Sequence, residues 1–260
     1  MNFVHTNLKP CVFVFLMMIS AFLLPIAGAG EACGQDRVNS GQNKGPNKGE
    51  INSENSGENG IKTLAFNVFL GANKTPIGQH FFIIKPRKSG GYSVDSRCKF
   101  DVNIFFFNAY SYNHQTKEIW QDGCLKSLES QTVENSKTMN VTGDQEDGQF
   151  IWQKADGTEK KTADCVRSFA YWKPAYLSGA KKLLNPQTGE LTDVTTAIKD
   201  VHGDQTPLKT SGKKLSISAD ELDIQVWYNQ AMVWRALTSK IDGNKIFYER
   251  TKFTENTYED

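Results

Sequence analysis

The side chains able to do chemistry are few and scattered. Past residue 29 the chain has three histidines, His80, His114 and His202, and four cysteines, Cys33, Cys98, Cys124 and Cys165. No two histidines stand at metal-ligand spacing, and only His202 has carboxylates close by, Asp200 and Asp204. The cysteines are too far apart for a zinc site, which needs at least one close pair. A Cys–His nucleophile would need a thiol that stays reduced, and there is no Gly-x-Ser-x-Gly elbow. Single glycines near Gly71, Gly78 and Gly203 do not make a phosphate loop. Asp122, Asp164 and Glu190 read as solvated loop acids rather than an acid–base pair. No catalytic residue, metal ligand or cofactor is assigned on this basis; a base in a hydrolase or isomerase would have to be His80 or His114.

Aromatic residues are the one excess. Phe105, Phe106 and Phe107 are consecutive, and Trp120, Trp152, Trp172, Trp227 and Trp234 add large surfaces beside Tyr110, Tyr112, Tyr171 and Tyr228. Tyr-Trp and Trp-Tyr pairs set a polar edge against an apolar plane, a pattern of ligand mouths and of cores alike.

The elements that must position these groups have a period of two. Leu64, Phe66, Val68 and Leu70 alternate with more polar neighbours, as do Cys98, Phe100, Val102, Ile104 and Phe106, and Leu222, Ile224, Val226 and Tyr228. This is strand patterning with one face buried. Turn signals fall between such runs at Gly90-Gly91, Asp122-Gly123, Asp147-Gly148, Asp156-Gly157 and Asp242-Gly243. The expected fold is all-β: one antiparallel meander forming a barrel or strongly curved sheet, whose interior holds either packed side chains or one apolar ligand. Leu177, Ala180 and Leu184 share a helical face between Pro174 and Asn185-Pro186, which predicts one short helix over Ala175 to Leu184.

Outside this domain the composition changes. Lys9 ends a weakly basic head, Cys11 to Gly28 is almost unbroken apolar, and Ala27-Gly28-Ala29 follows Pro25. That is a secretory signal peptide over residues 1–29, cleaved after Ala29. As an uncleaved anchor the apolar run falls short of the roughly 20 residues a spanning helix needs. Residues 30–60 are rich in Gly, Asn, Ser, Lys and Glu and read as a disordered leader. Glu31 argues against lipid modification at Cys33. A single domain over 61–253 and a tail over 254–260 complete the division. Without Lys9 the 30 basic and 29 acidic residues balance, which argues against nucleic-acid binding. Periplasmic or secreted localisation follows, with no transmembrane segment after cleavage.

Several local strings occur in order: Ile77-Gly78-Gln79-His80, Trp120-Gln121-Asp122-Gly123-Cys124-Leu125, Phe169-Ala170-Tyr171-Trp172, and Leu183-Leu184-Asn185-Pro186-Gln187-Thr188-Gly189-Glu190. Trp227-Tyr228 and Asp242-Gly243 with Tyr248-Glu249-Arg250 close the series. This set resembles an uncharacterised family of exported bacterial β-rich proteins, a domain of unknown function, over about Ile61 to Arg250. The resemblance implies an exported β-rich domain and supplies no reaction. A looser similarity, of fold alone, is to periplasmic half-open barrels that cradle lipid or lipoprotein chains.

Three expectations follow. Cys124 pairs with Cys165, because both lie in loop-and-strand stretches that bracket the hairpins between them. The function is binding without catalysis, of a lipid-like or apolar small ligand or of an envelope protein; the rivals are a hydrolase or isomerase and a purely structural protein. Phe105, Phe107 and Trp227 lie opposite faces that are already apolar, which makes them candidate contacts for a ligand or partner.

Overall fold

The computed structural model describes residues 60–104, 107–207, 209–220, 222–241 and 244–257. The expected signal peptide, the expected leader with Cys33, and the expected turn at Asp242-Gly243 lie outside the described residues. Eight strands come first: β1 (Gly60–Leu70), β2 (Thr75–Pro86), β3 (Tyr92–Ile104), β4 (Phe107–Gln121), β5 (Cys124–Glu134), β6 (Lys137–Glu146), β7 (Gln149–Gln153) and β8 (Glu159–Thr162). A long connection carries helix α1 (Pro174–Leu177) and the small hairpin β9 (Lys182–Leu184) and β10 (Leu191–Asp193). The second meander is β11 (Thr195–Val201), β12 (Gly212–Ala219), β13 (Leu222–Tyr228), β14 (Trp234–Ile241) and β15 (Asn244–Thr257).

All but β9 and β10 belong to one 13-stranded sheet, in the order β11 to β15, then β1 to β8. Every pairing is antiparallel, and the two meanders join where β1 lies beside β15, from Gly60↔Thr257 to Leu70↔Ile246. The ordered sheet therefore runs beyond the expected end at Phe253, since residues 254–257 pair with β1. Tight two-residue turns connect β4 to β7. Asp122-Gly123, Asn135-Ser136 and Asp147-Gly148 all have positive φ, as hairpin turns matched to strand twist require.

The sheet is rolled. Laid flat, 13 strands would span about 60 Å at the usual inter-strand spacing. Yet Phe66, Phe82, Tyr112, Trp120, Phe150, Ile217, Val226 and Trp234, from both meanders, belong to one buried cluster. Alternation assigns them: Leu64, Phe66 and Val68 face in, as do Cys98, Phe100 and Val102, and Leu222, Ile224 and Val226.

The 163–194 connection fills the concave side, where Val166, Tyr171, Leu177, Leu183, Leu184 and Gln187 are all buried. It is tied across the sheet. Leu125 N–H donates to Val166 O at 2.8 Å, Tyr112 Oη to Gln187 Oε1 at 3.2 Å, Trp152 Nε1 to Gly189 O at 2.8 Å, and Tyr228 Oη to Tyr171 O at 2.9 Å. The predicted helix over Ala175 to Leu184 is corrected here. Only Pro174–Leu177 is helical; Ser178 is extended, and Gly179 takes φ +69°, which turns the chain out of the helix. Leu183 and Leu184 pair instead with Thr192 and Leu191. The helix-like spacing of Leu177, Ala180 and Leu184 reflects burial along an irregular path, not a continuous helix.

Candidate functional site

Strand register brings the scattered histidines together. His80 pairs with Cys98, and Cys98 with His114, so the three lie abreast on β2, β3 and β4, all facing inward. Around them the inward face is polar: Ser96, Thr116, Glu118, Ser130 and Thr132 are buried there. His80 Nε2 lies 2.7 Å from Ser96 Oγ, and His114 Nδ1 lies 2.7 Å from Thr132 Oγ1. Ser168 Oγ donates to Glu118 Oε1 and Trp120 Nε1 to Glu118 Oε2, each at 2.8 Å. Burial, with His114 nearby, holds the His80 imidazole well below its ordinary pKa, while burial pushes the Glu118 carboxyl up.

These groups line an interior cavity of about 50 Å³ together with Phe82 and Val94 of the sheet and Phe169, Tyr171 and Trp172 of the connection. His80 Nδ1 is buried at its wall without a partner among the described residues. A space of this size suits a few ordered waters and is far below what ligand pockets occupy. Among the described residues, no three His, Cys, Asp or Glu side chains converge as metal ligands do. His80 Nδ1 can pair with a water there, but the cavity has no room for a substrate chain.

Room exists at one end of the roll. A cleft of about 500 Å³ lies between α1, the β13–β14 turn and the ends of β1, β2 and β15. Its apolar walls are Leu64, Ile84, Trp172, Val233, Trp234 and Phe253, and Lys62 and Lys173 also line it. The volume and the mainly apolar lining are those of a small-molecule site. Trp172 lines both this cleft and the interior cavity, so its indole is the partition between them. Edge contacts fix that ring: its centroid is 5.2 Å from Tyr92, 6.1 Å from Trp120 and 5.7 Å from Tyr176.

The expected disulfide joins Cys124 to Cys165. It pins the start of the concave connection to the β4–β5 turn, next to this end. Cys98 stands outside the disulfide, buried between the two histidines. Of the candidate contacts, Phe105 lies outside the described residues, and of Phe107, which opens β4, only the backbone is described. Trp227 faces away from the main core as alternation requires, but it is 9% exposed, packed with Val201 and Ala236 in a separate small cluster. It does not line the cleft. The cleft residues come from seven separate stretches, so no spacing along the chain signals them.

A rolled antiparallel sheet, plugged on its concave side and open to a cleft at one end, defines a β-barrel-like protein. The chain belongs to a family described as a domain of unknown function, DUF6134, whose model matches residues 66–251. It is similar to a solved structure, the beta-barrel-like protein of domain of unknown function DUF1849 from Brucella abortus, with a TM-score of 0.52 at 13% identity. That likeness covers 77% of this chain and 98% of the other, and it is one of fold. No curated protein matches the sequence. Among the described residues no helix is long and apolar enough to cross a membrane.

Proposed function

We propose that this is an exported binding module that holds a hydrophobic or amphipathic ligand in the end cleft and catalyses nothing. The observation that carries the reading is the cleft itself: about 500 Å³, walled mainly by aliphatic and aromatic side chains, ten times the volume of the interior cavity. Export is supported by the N-terminal apolar run ending in Ala27-Gly28-Ala29 and by the Cys124–Cys165 disulfide, a bond that persists in oxidising compartments. A lipid-like occupant is the partner this lining favours.

Native mass spectrometry of the full chain purified from its own host tests the proposal, alongside Val233→Asp. A co-purified apolar molecule is expected on the parent protein and lost from the variant, with thermal stability little changed. The same adduct on both proteins would overturn the cleft assignment. The rival reading, a hydrolase or isomerase with His80 or His114 as base, draws on one observation: both imidazoles line one cavity. Its volume weighs against that reading.

A further inference from the structure

The apolar cleft is continuous with a second depression of about 610 Å³, because Tyr92, Lys173 and Ala175 line both. Two turns wall it: Arg87 to Gly91 between β2 and β3, and Asp122-Gly123 between β4 and β5. The first turn can close against the end of β4 only because residue 91 is glycine. A Cβ there would lie 1.9 Å from the Trp120 carbonyl oxygen, and φ is +76°. Arg167, on the connection that the disulfide pins, completes the wall.

The charge of this depression is lopsided. Arg87, Arg167 and Lys173 line it against one acid, Asp122, in a chain whose net charge is +1. Neither arginine is ion-paired among the described residues, and Arg167 Nε is shut off from solvent with no partner among them. An arginine that lines an open depression without an ion-pair partner is suited by an anionic oxygen above other acceptors. Lys173 Nζ donates to Tyr92 Oη at 3.1 Å and lies 5.1 Å from the centre of that ring, at the border between the apolar and the cationic halves.

Resting on the ligand-binding reading above, we infer that the occupant is a single-chain lipid with an anionic headgroup. Its chain lies in the apolar cleft, and its carboxylate or phosphate faces Arg87, Arg167 and Lys173. Neutralisation of the headgroup, rather than chain burial alone, then sets which lipids bind.

The test is a fluorescence-displacement titration of the full chain with palmitate, with the uncharged alcohol of the same chain length, and with inorganic phosphate. Palmitate is expected to bind about tenfold or more tightly than the alcohol, the scale of one charge-assisted contact. Arg167→Met should bring palmitate down to the alcohol's affinity and leave the alcohol unchanged. Ala175→Glu, at an exposed position shared by both depressions, should weaken palmitate binding more than it weakens binding of the alcohol. Equal affinity for palmitate and the alcohol would overturn the headgroup site while leaving the cleft reading intact. Displacement by inorganic phosphate alone, with no gain from the chain, would make the depression a free-anion site and overturn the lipid assignment. Binding of neither amphiphile would sink the cleft reading and this inference with it.

Discussion

The interior cavity and the end cleft share a wall, Trp172, and divide between them what a functional site needs. The cavity has the reactive side chains: two imidazoles, a carboxyl held up in pKa, three hydroxyls, and about 50 Å³. The cleft has ten times the space and mainly apolar walls, with Lys62, Lys173, Tyr92 and Ser178 as its polar side chains. Reactive residue types concentrate where the sheet is tied to its plug, and space lies where the plug stops short of the rim. In this molecule the polar groups of the interior are hydrogen-bonded across the sheet and to its plug, and the larger space lies apart from them.

The largest expected effect breaks the mouth and spares the cavity. Replacing both Cys124 and Cys165 by Ser should cost about 3–4 kcal/mol in urea unfolding, on the chain-entropy model for the 41-residue separation. Palmitate affinity should fall in the same protein, because Arg167 and the turn at Gly123 lose their tether. The His80 and His114 ring signals in nuclear magnetic resonance should keep their native dispersion.

Removing the partition comes next. Trp172→Ala should destabilise by about 3 kcal/mol, at the lower end for an aromatic truncation because the residue is only half-buried. It should also join cavity and cleft, so that the variant accepts bulkier chains than the parent. Unchanged chain-length preference would show that the two spaces do not communicate through this side chain.

The third prediction concerns pH and belongs to the cavity alone. His80 in the unfolded chain takes up a proton near pH 6.5, whereas in the fold burial resists it. Below that pH the unfolded state binds more protons, so stability falls as pH drops. Glu118 works in the opposite direction. Its raised pKa makes the fold bind a proton where the unfolded side chain, near 4.5, does not, so over that window stability rises as pH falls. Comparison isolates the histidine: between pH 7.5 and 5.5 the unfolding free energy of the parent should move in the destabilising direction relative to that of His80→Gln. An identical change in the variant would remove His80 as its source.

The smallest effect is a control on the outer surface. Phe81 is 42% exposed on the outward face of β2, so Phe81→Ser should change stability by less than about 0.5 kcal/mol and leave palmitate binding alone.

Where apolar residues alternated, the strands were legible: Leu64 to Leu70, Cys98 to Val102 and Leu222 to Tyr228 all face as the pattern requires. Asp-Gly pairs marked the turns at 122 and 147, and the disulfide followed from its two flanking motifs. The polar band was not legible. In β4 the inward residues run Tyr110, Tyr112, His114, Thr116, Glu118 and Trp120, so half the inward face reads as solvent-facing. Only partners on other strands, such as Thr132 and Ser168, make those positions tolerable in a core. Trp227 illustrates the converse. Its outward orientation followed from its neighbours, but its burial depends on Val201 and Ala236, which come from elsewhere in the chain.

The β1–β15 pairing places the first and last strands at the middle of the sheet rather than at its margins. A chain made N-terminus first therefore produces its central seam last. Until β15 emerges, β1 presents an open hydrogen-bonding edge in mid-sheet, and the roll cannot close around its plug. Such long-range closure is slow and leaves nascent or truncated chains prone to joining edges with one another. Loss of β15 as a whole is thus not peripheral trimming: it would open the sheet at the seam beside β1 rather than at an edge.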